Sequence, residues 1–344
     1  MGPKMLLSSL GVMLTTLMSP AELFAALNEL KELNKRSPHQ AISYYQNIVS
    51  QIPSSPSTGS MELHLAGMEA AIRTDRPKLI NTALNIASQY DWVASTTHGE
   101  FNIFVPMAIY HRRTGDYSYA EYLNKCALNW AKSEQQLSKV VSNLSVIYRY
   151  TEQHSKAIEL LKEQLEVVSK KSVKAGLYNN LGNFYQLQNR YVEAKSVYKK
   201  AFLIHSMNNN TFLSSSVGLN LLKTMITTSN WSDFSRFMPA VSKFVEQSEH
   251  PDFIAYLYWQ NLIVSVKHQG KTLLPEQVNT LKKSMPLLNA TEVSPSITEF
   301  VNLLAHSELS KAWQATINSS PKPVKEKTIK RISVSLPCAK TSKP

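Results

Sequence analysis

The side chains that could do chemistry in this 344-residue chain include nine histidines, and their spacing argues against a metal site. No two His stand four residues apart, and none belongs to an HExxH motif, the arrangement that lets two imidazoles on one helix face bind zinc. The sequence also lacks a Gly-rich phosphate loop and a GxSxG nucleophile turn. We therefore expect a non-enzymatic protein with no cofactor and no small-molecule substrate, although residue types alone leave open a site assembled from distant positions.

The sequence pattern that must position any functional side chain recurs along the chain every 37 residues. Four sets of equivalent positions, which we call columns, keep one residue type through three copies. Two columns hold small residues, one holds flat rings and one holds large apolar residues. These columns are Ala120, Ala157 and Ala194; Ala108, Ser145 and Gly182; Tyr117, His154 and Tyr191; and Met107, Leu144 and Leu181. Such self-similarity indicates a repeat architecture.

The third copy shows the packing logic of one repeat most clearly. Gly182 and Ala194 fall on two helical patterns separated by a short turn at residues 188–190. Two antiparallel helices approach closely only where small residues face each other, and large neighbours fill the remaining space. We expect Tyr185 and Tyr198 to fill the seam between these two helices.

This copy resembles the tetratricopeptide repeat, whose order is large-x2-Leu-Gly-x2-Tyr followed by Ala-x3-aromatic. The residues that carry the resemblance are Tyr178, Leu181, Gly182, Tyr185, Ala194, Tyr198 and Ala201. Residues 138–169 and 101–132 match the same order less fully. The family's closing Pro is absent, since Ser206 stands near its place, and the step exceeds the family's usual 34 residues. The resemblance implies an all-α fold, a right-handed α-solenoid of antiparallel helix pairs.

The same pattern, fading toward both ends, predicts the domain organisation and five to seven helix pairs. Helices are expected within 27–52, 62–90, 212–228, 231–247, 252–268, 275–289 and 295–318 besides the three central copies. We divide the chain into a signal peptide at 1–25, degenerate N-terminal helical repeats at 26–100, three well-formed repeats at 101–206, degenerate C-terminal repeats and a cap at 207–318, and a basic, disordered tail at 319–344.

The N-terminus has the features of a cleaved signal peptide. Lys4 precedes an uncharged, mostly apolar run from Met5 to Met18, which is short for a membrane span but typical of a signal-peptide core. Small residues allow cleavage after Ala21 or Ala25. The alternative is a buried first helix. We expect a periplasmic or secreted protein.

Half of the formal charge of +12 lies in the tail. Residues 321–344 hold seven basic residues and one acid, a balance of 7 − 1 = +6, together with four Pro. This composition is typical of a solvated, weakly ordered extension. It also fits an arm that contacts anionic membrane, acidic protein or nucleic acid.

Two cysteines are too few for a disulfide framework. Cys126 falls within a helical pattern and is most simply a small buried residue. A bridge between Cys126 and Cys338 stays open, because it depends on an oxidising compartment.

Proteins of the tetratricopeptide family bind partners in the concave groove lined by their first helices, so the resemblance implies such a site here. Carried over copy by copy, the groove positions are Asn102, Arg112, Arg113, Lys139, Asn143, Arg149, Asn179, Asn183 and Gln186. This set is polar, basic and free of acids. Asn can hold a peptide backbone through paired hydrogen bonds, and Arg and Lys favour carboxylates. The alternative is that these are ordinary solvated positions and that binding uses an edge, the convex face or the tail.

The sequence thus favours a protein–protein interaction scaffold of a bacterial envelope, with a protein or peptide partner that is acidic or offers a C-terminal carboxylate. Two other readings stay open. One is a sensor or regulatory input module. The other is a binder of anionic membrane or nucleic acid that acts through its tail, whose affinity would fall steeply with salt.

Overall fold

A computed structural model of the chain describes residues 16–55, 57–74, 76–87, 99–289, 291–319 and 338. Within these residues the secondary structure consists of sixteen α-helices and one short 3-10 helix, Val49–Gln51, with no β-strand. The predicted all-α fold is confirmed.

The helices of the N-terminal half are α1 Pro20–Arg36, α2 Pro38–Ile48, α3 Thr58–Arg73, α4 Pro77–Ala87, α5 Gly99–Arg113, α6 Tyr117–Trp130, α7 Glu134–Tyr150 and α8 His154–Val167. Those of the C-terminal half are α9 Lys171–Leu187, α10 Tyr191–Met207, α11 Thr211–Thr227, α12 Trp231–Ser248, α13 Pro251–Lys267, α14 Pro275–Asn289, α15 Ser294–Leu304 and α16 Ser307–Ser319.

Helix starts follow local sequence signals. Ser19 caps α1 through the backbone N–H of Glu22, whose carboxylate accepts the Ser19 N–H in return, a capping box. Asn210 and Asn230 cap α11 and α12 with their side-chain oxygens. Such caps satisfy backbone donors that have no partner inside the helix.

Consecutive helices pack as antiparallel pairs, and the odd-numbered helices also pack on one another. The closest pairs include α5 with α6, α9 with α10 and α11 with α12. The odd-numbered layer runs through contacts of α1 with α3, α5 with α7, α7 with α9 and α11 with α13. The chain is therefore a two-layer α-solenoid.

The close approach predicted at Gly182 is present. A Cβ atom at this position would lie 2.6 Å from Cε1 of Tyr198, so the Tyr198 ring occupies the space that a side chain at residue 182 would need. Tyr198 is completely buried. Its hydroxyl donates a hydrogen bond to Oδ1 of Asn183 at 2.6 Å.

Replacing Gly182 with Ala should lower the free energy of unfolding by about 1–3 kcal/mol, because the completely buried Tyr198 ring would have to shift to admit the new methyl group. The matched control is Gly176→Ala in the same helix. A Cβ there meets no atom within 4 Å, so the higher helix propensity of Ala should raise stability by about 0.5–1 kcal/mol. Urea unfolding of both variants measures the difference; equal effects would contradict the close packing at Gly182.

Two expected boundaries were wrong. The first helix begins at Pro20, not near residue 27, since Ser19 and Pro20 form a complete helix start. The segment 295–318 is two helices, because Ala305 takes a left-handed conformation (φ 50°) and ends α15. This break gives eight helix pairs in the described residues instead of five to seven.

The solenoid curves until its first helices meet its later ones. Helix α1 packs on α11, the Gln40 side chain donates a hydrogen bond to Glu249, and the rings of His39 and His250 lie 4.5 Å apart between centroids. We call the surface that the odd-numbered helices α3, α5, α7, α9 and α11 present to the inside of this curve the groove.

Cys126 and Cys338 form a disulfide bond that joins α6 to the C-terminal segment. Cys126 is completely buried, as expected from the helical pattern around it. The sequence left this pairing open. In the part of the chain that the structure describes, no helix combines the length and apolar character needed to cross a bilayer.

Candidate ligand-binding groove

Two arginines end odd-numbered helices in equivalent positions and hold neighbouring helices together. Arg73 is the last residue of α3 and donates to the carbonyl of Asn34 in α1 at 2.8 Å. Arg113 is the last residue of α5 and donates to the carbonyl of Ile72 in α3 at 2.6 Å. Each contact joins the end of one odd-numbered helix to the helix pair that precedes it.

Arg149, near the end of α7, is paired with an acid from the C-terminal part of the chain. Its Nη2 lies 2.9 Å from Oε2 of Glu292 in the turn between α14 and α15. The hydroxyl of Tyr150 donates to Oε1 of the same carboxylate at 3.3 Å. The Tyr150 ring stacks on Tyr117 with 5.5 Å between centroids. This stacking holds the Tyr150 hydroxyl beside the Glu292 carboxylate.

Arg112 is tied to a short chain of amides. Its Nε donates to Oδ1 of Asn143 at 3.2 Å, and Nδ2 of Asn143 donates to Oδ1 of Asn124 at 2.9 Å. Asn143 is only 7% exposed. It therefore orients Arg112 and connects α7 to α6, and it offers little surface to a ligand.

The three predicted amides of the third copy also make internal hydrogen bonds. Oδ1 of Asn179 accepts from Asn220 at 3.3 Å, and Asn183 accepts from the buried hydroxyl of Tyr198. Nε2 of Gln186 donates to Oγ1 of Thr224 at 2.6 Å. These amides are half-buried and join α9 to α10 and α11. Their predicted role in holding a peptide backbone remains a prediction.

The two remaining predicted residues lie at the other end of their helices. Lys139 is exposed near the start of α7, and Asn102 is half-buried near the start of α5. Burial would raise the pKa of Glu69 in α3, but Arg73, Lys139 and Lys31 hold it below its usual value. Lys139 therefore contributes to the positive electrostatic potential on the inner surface.

The predicted set of groove residues contains no acid, but two acids from other positions lie beside basic residues of this surface. Glu69 pairs with Arg73 at 2.6 Å, and Glu292 pairs with Arg149. Among the described residues of this part of the groove, five basic side chains stand against these two acids. The five are Arg73, Arg112, Arg113, Lys139 and Arg149.

The pKa shifts at the Glu292 contact indicate that the electrostatic potential around this carboxylate is positive. The surrounding protein raises the pKa of Glu292 through desolvation, but Arg149, Arg112 and Arg113 outweigh this effect and the pKa lies below its usual value. Desolvation lowers the pKa of Arg149, and Glu292 reverses this shift. For Arg112, desolvation and repulsion from Arg113 together lower the pKa. The three arginines therefore stabilise the ionised form of Glu292.

Sequence reasoning missed Arg73, Glu69 and Glu292. A signal for Arg73 was present, since Arg73-Thr74 and Arg113-Thr114 both end odd-numbered helices. No local pattern marks Glu292, which lies 143 residues from its partner.

Comparison with known proteins agrees with the repeat. A family model for the tetratricopeptide repeat matches residues 175–204. No curated protein matches the chain by sequence.

Solved structures resemble the fold. Aspartyl phosphate phosphatase F from Bacillus subtilis has 10% sequence identity and a TM-score of 0.56, over 94% of this chain and 98% of that one. A Rap protein complexed with Competence and Sporulation Factor has 15% identity and a TM-score of 0.43, over 87% and 96%. The human IFIT1 dimer with PPP-AAAA has 15% identity and a TM-score of 0.48, over 86% and 72%.

The resemblance to the tetratricopeptide repeat family is thus confirmed, and the chain is a helical solenoid of that type.

Proposed function

We propose that this chain is a non-enzymatic scaffold of the bacterial cell envelope that binds an acidic peptide, or a peptide with a free C-terminal carboxylate, in the groove. The observation that carries the proposal is the excess of five cations over two acids among the described residues of the inner surface. On the same surface Arg149 already holds a carboxylate, that of Glu292, at 2.9 Å, and Arg112 donates to the uncharged amide oxygen of Asn143. Charge-assisted hydrogen bonds to carboxylates are about twice as strong as neutral ones.

Two features support export. The apolar run from Met5 to Met18 is typical of a signal peptide; residues 1–15 lie outside the described part of the chain. A disulfide between Cys126 and Cys338 fits an oxidising compartment such as the periplasm.

Of the two cleavage sites, we propose the one after Ala21. Leu23 is 6% exposed and belongs to the core, and its side chain lies against Gly59. Cleavage after Ala25 would remove Leu23 and the first turn of α1, whereas cleavage after Ala21 leaves the buried face of that helix intact. N-terminal sequencing of the protein purified from its native cells tests this, and a chain that still begins at Met1 would contradict export.

Affinity capture from the native envelope fraction tests the binding function. The Lys139→Glu/Arg149→Glu variant should lose its partner, with affinity reduced by at least about tenfold, because two attractive charges become repulsive. The matched control is Lys125→Glu/Lys162→Glu, which makes the same change in net charge at exposed positions of α6 and α8. A groove variant that captures the same partner as the wild type would overturn the proposal.

The experiment also needs a tail variant, because the seven basic residues of the tail could bind anionic partners without the groove. Deleting residues 319–344 would also remove Cys338, so neutralising substitutions of the tail lysines and Arg331 are the better test. Binding that disappears in this variant and falls steeply between low and moderate salt would assign the function to the tail instead of the groove.

A further inference from the structure

The contact that closes the curve of the solenoid has one histidine from each side at its centre. His39 lies at the start of α2, and His250 lies directly before α13. Their ring centroids are 4.5 Å apart, and beside them the Gln40 side chain donates a hydrogen bond to Glu249. We call these four residues the latch, because they join an N-terminal helix to the C-terminal half of the chain.

The rings of the latch pack against aromatic side chains. His250 is 4% exposed, stacks on Phe253 with 4.3 Å between centroids and lies 5.6 Å from the Phe212 ring. Within the described residues, Nε2 of His39 and both ring nitrogens of His250 are buried without a hydrogen-bond partner. Protonation would add a charge and a further N–H donor at a place that satisfies neither.

The surroundings of the two rings keep them neutral. Burial, and then the charge of Arg76, lower the pKa of His39. Burial, and then the neighbouring His39, lower the pKa of His250 to about 4. Each ring therefore makes protonation of the other less favourable, and the contact is stable only while both are uncharged.

The fixed charges at the latch balance only in this neutral state. Oδ2 of Asp252 lies 3.9 Å from Nδ1 of His250, which is beyond hydrogen-bond distance. Among the described residues, the elements that meet here contribute three acids, three arginines and three histidines: Glu69, Glu249, Asp252, Arg36, Arg73, Arg76, His39, His205 and His250. Protonated histidines would therefore leave a surplus of positive charge.

We propose that the latch is an acid-sensitive switch: it holds the curve closed while His39 and His250 are neutral, and their protonation releases α1 and α2 from α11 and α13 while the helices stay folded. Water reaches both rings in the open form, so the open form binds protons more readily than the closed form, and a falling pH favours opening. The inference goes beyond the proposed function, because it does not depend on what the groove binds.

Double electron–electron resonance on the full mature chain measures the opening. Nitroxide labels on Gln46→Cys in α2 and Gln247→Cys in α12, both exposed positions, report the distance across the latch. The two native cysteines are held in the disulfide and take no label. A second pair, Lys162→Cys in α8 and Ser196→Cys in α10, also at exposed positions, reports helix packing elsewhere in the solenoid.

Between pH 7.5 and 5 the ratio of open to closed molecules should rise about 25-fold from His250 alone, because its pKa is about 4 in the closed form and about 6.5 once water reaches it. The latch pair should therefore gain a longer distance at pH 5, while the second pair keeps its distance.

His39→Phe/His250→Phe keeps two aromatic rings that cannot be protonated, so it should stay closed at pH 5. His268→Phe, at an exposed position, is the matched control and should open as the wild type does. Should the double variant fail to fold, His39→Phe alone carries the test: it removes the repulsion between the two rings and should reduce the opening.

Three results would overturn the inference. The first is a latch distance that is the same at pH 7.5 and 5. The second is opening at pH 5 in the double variant, or in His39→Phe alone, to the same extent as in the wild type. The third is a change of both label distances over the same pH range, since acid would then loosen the whole array and not the latch.

Discussion

At pH 5 we expect the chain to lose about 2 kcal/mol of unfolding free energy for each of three buried histidines, compared with pH 7.5. Burial lowers the pKa of His64 and His205 to about 4, and burial together with His39 lowers that of His250 to about 4. Each side chain is at most 5% exposed. No other single condition or substitution discussed for this chain has so large an expected effect.

The direction of this effect follows from proton binding. An unfolded histidine has a pKa of about 6.5, so between pH 6.5 and 4 the unfolded chain binds more protons than the folded chain. Stability therefore falls as the pH drops through this window and is constant for these groups above about pH 7.

The neighbours of these rings explain why protonation is resisted. Arg73 opposes a charge on His205, and Nδ1 of His64 shares a hydrogen bond with the uncharged Tyr45 hydroxyl at 2.7 Å. His250 packs against Phe253 and His39, with Oδ2 of Asp252 at 3.9 Å from its Nδ1. A carboxylate at this distance offsets only part of the desolvation cost.

Urea unfolding from pH 7.5 to 5 measures the loss. His250→Phe keeps an aromatic ring beside Phe253 and should flatten the pH dependence by about one third, while His268→Gln, at an exposed position, should leave it unchanged. Equal pH dependence in the wild type and His250→Phe would contradict the assignment of a lowered pKa to His250.

Reducing the disulfide should cost about 3–5 kcal/mol of stability. The Cys126–Cys338 bond closes a loop with a sequence separation of 212 residues, and the entropy that a cross-link removes from the unfolded chain grows with loop length. The same loss is expected for Cys338→Ala, which leaves Cys126 in the core.

Urea unfolding with and without dithiothreitol tests this bond. The reductant should lower the midpoint of the wild type and have no effect on Cys338→Ala. Alkylation of the unfolded, non-reduced wild type should find no reactive thiol. Two free thiols, or a midpoint that dithiothreitol leaves unchanged, would contradict the pairing.

The sequence predicted those parts of the fold that depend on local spacing. Gly182 and Tyr198 belong to neighbouring helices of one pair, so their contact follows from the repeat alone. The turn at 188–190 and the helices on either side were predicted for the same reason. The break at Ala305 was missed because a left-handed Ala carries no sequence signal of the kind that Gly or Asn provides.

The groove was predictable only in its basic residues. Arg112 and Arg149 are separated by the repeat step of 37 residues, and Arg113 follows Arg112 at the end of α5. Their partners could not be predicted, since Glu292 meets Arg149 only through the curvature of the whole solenoid. Asn143 has the same type and spacing as a ligand-facing amide, yet the second bond to Asn124 buries it.

The meeting of α1 with α11 changes how this repeat protein should unfold. Open solenoids behave as one-dimensional arrays in which each unit contacts only its neighbours, so their ends fray independently. Here Gln40 and Glu249 are 209 residues apart and in contact, which links an early unit to a late one. Local opening at the N-terminal end must therefore break contacts in the C-terminal half, and the array is expected to unfold as a single cooperative unit.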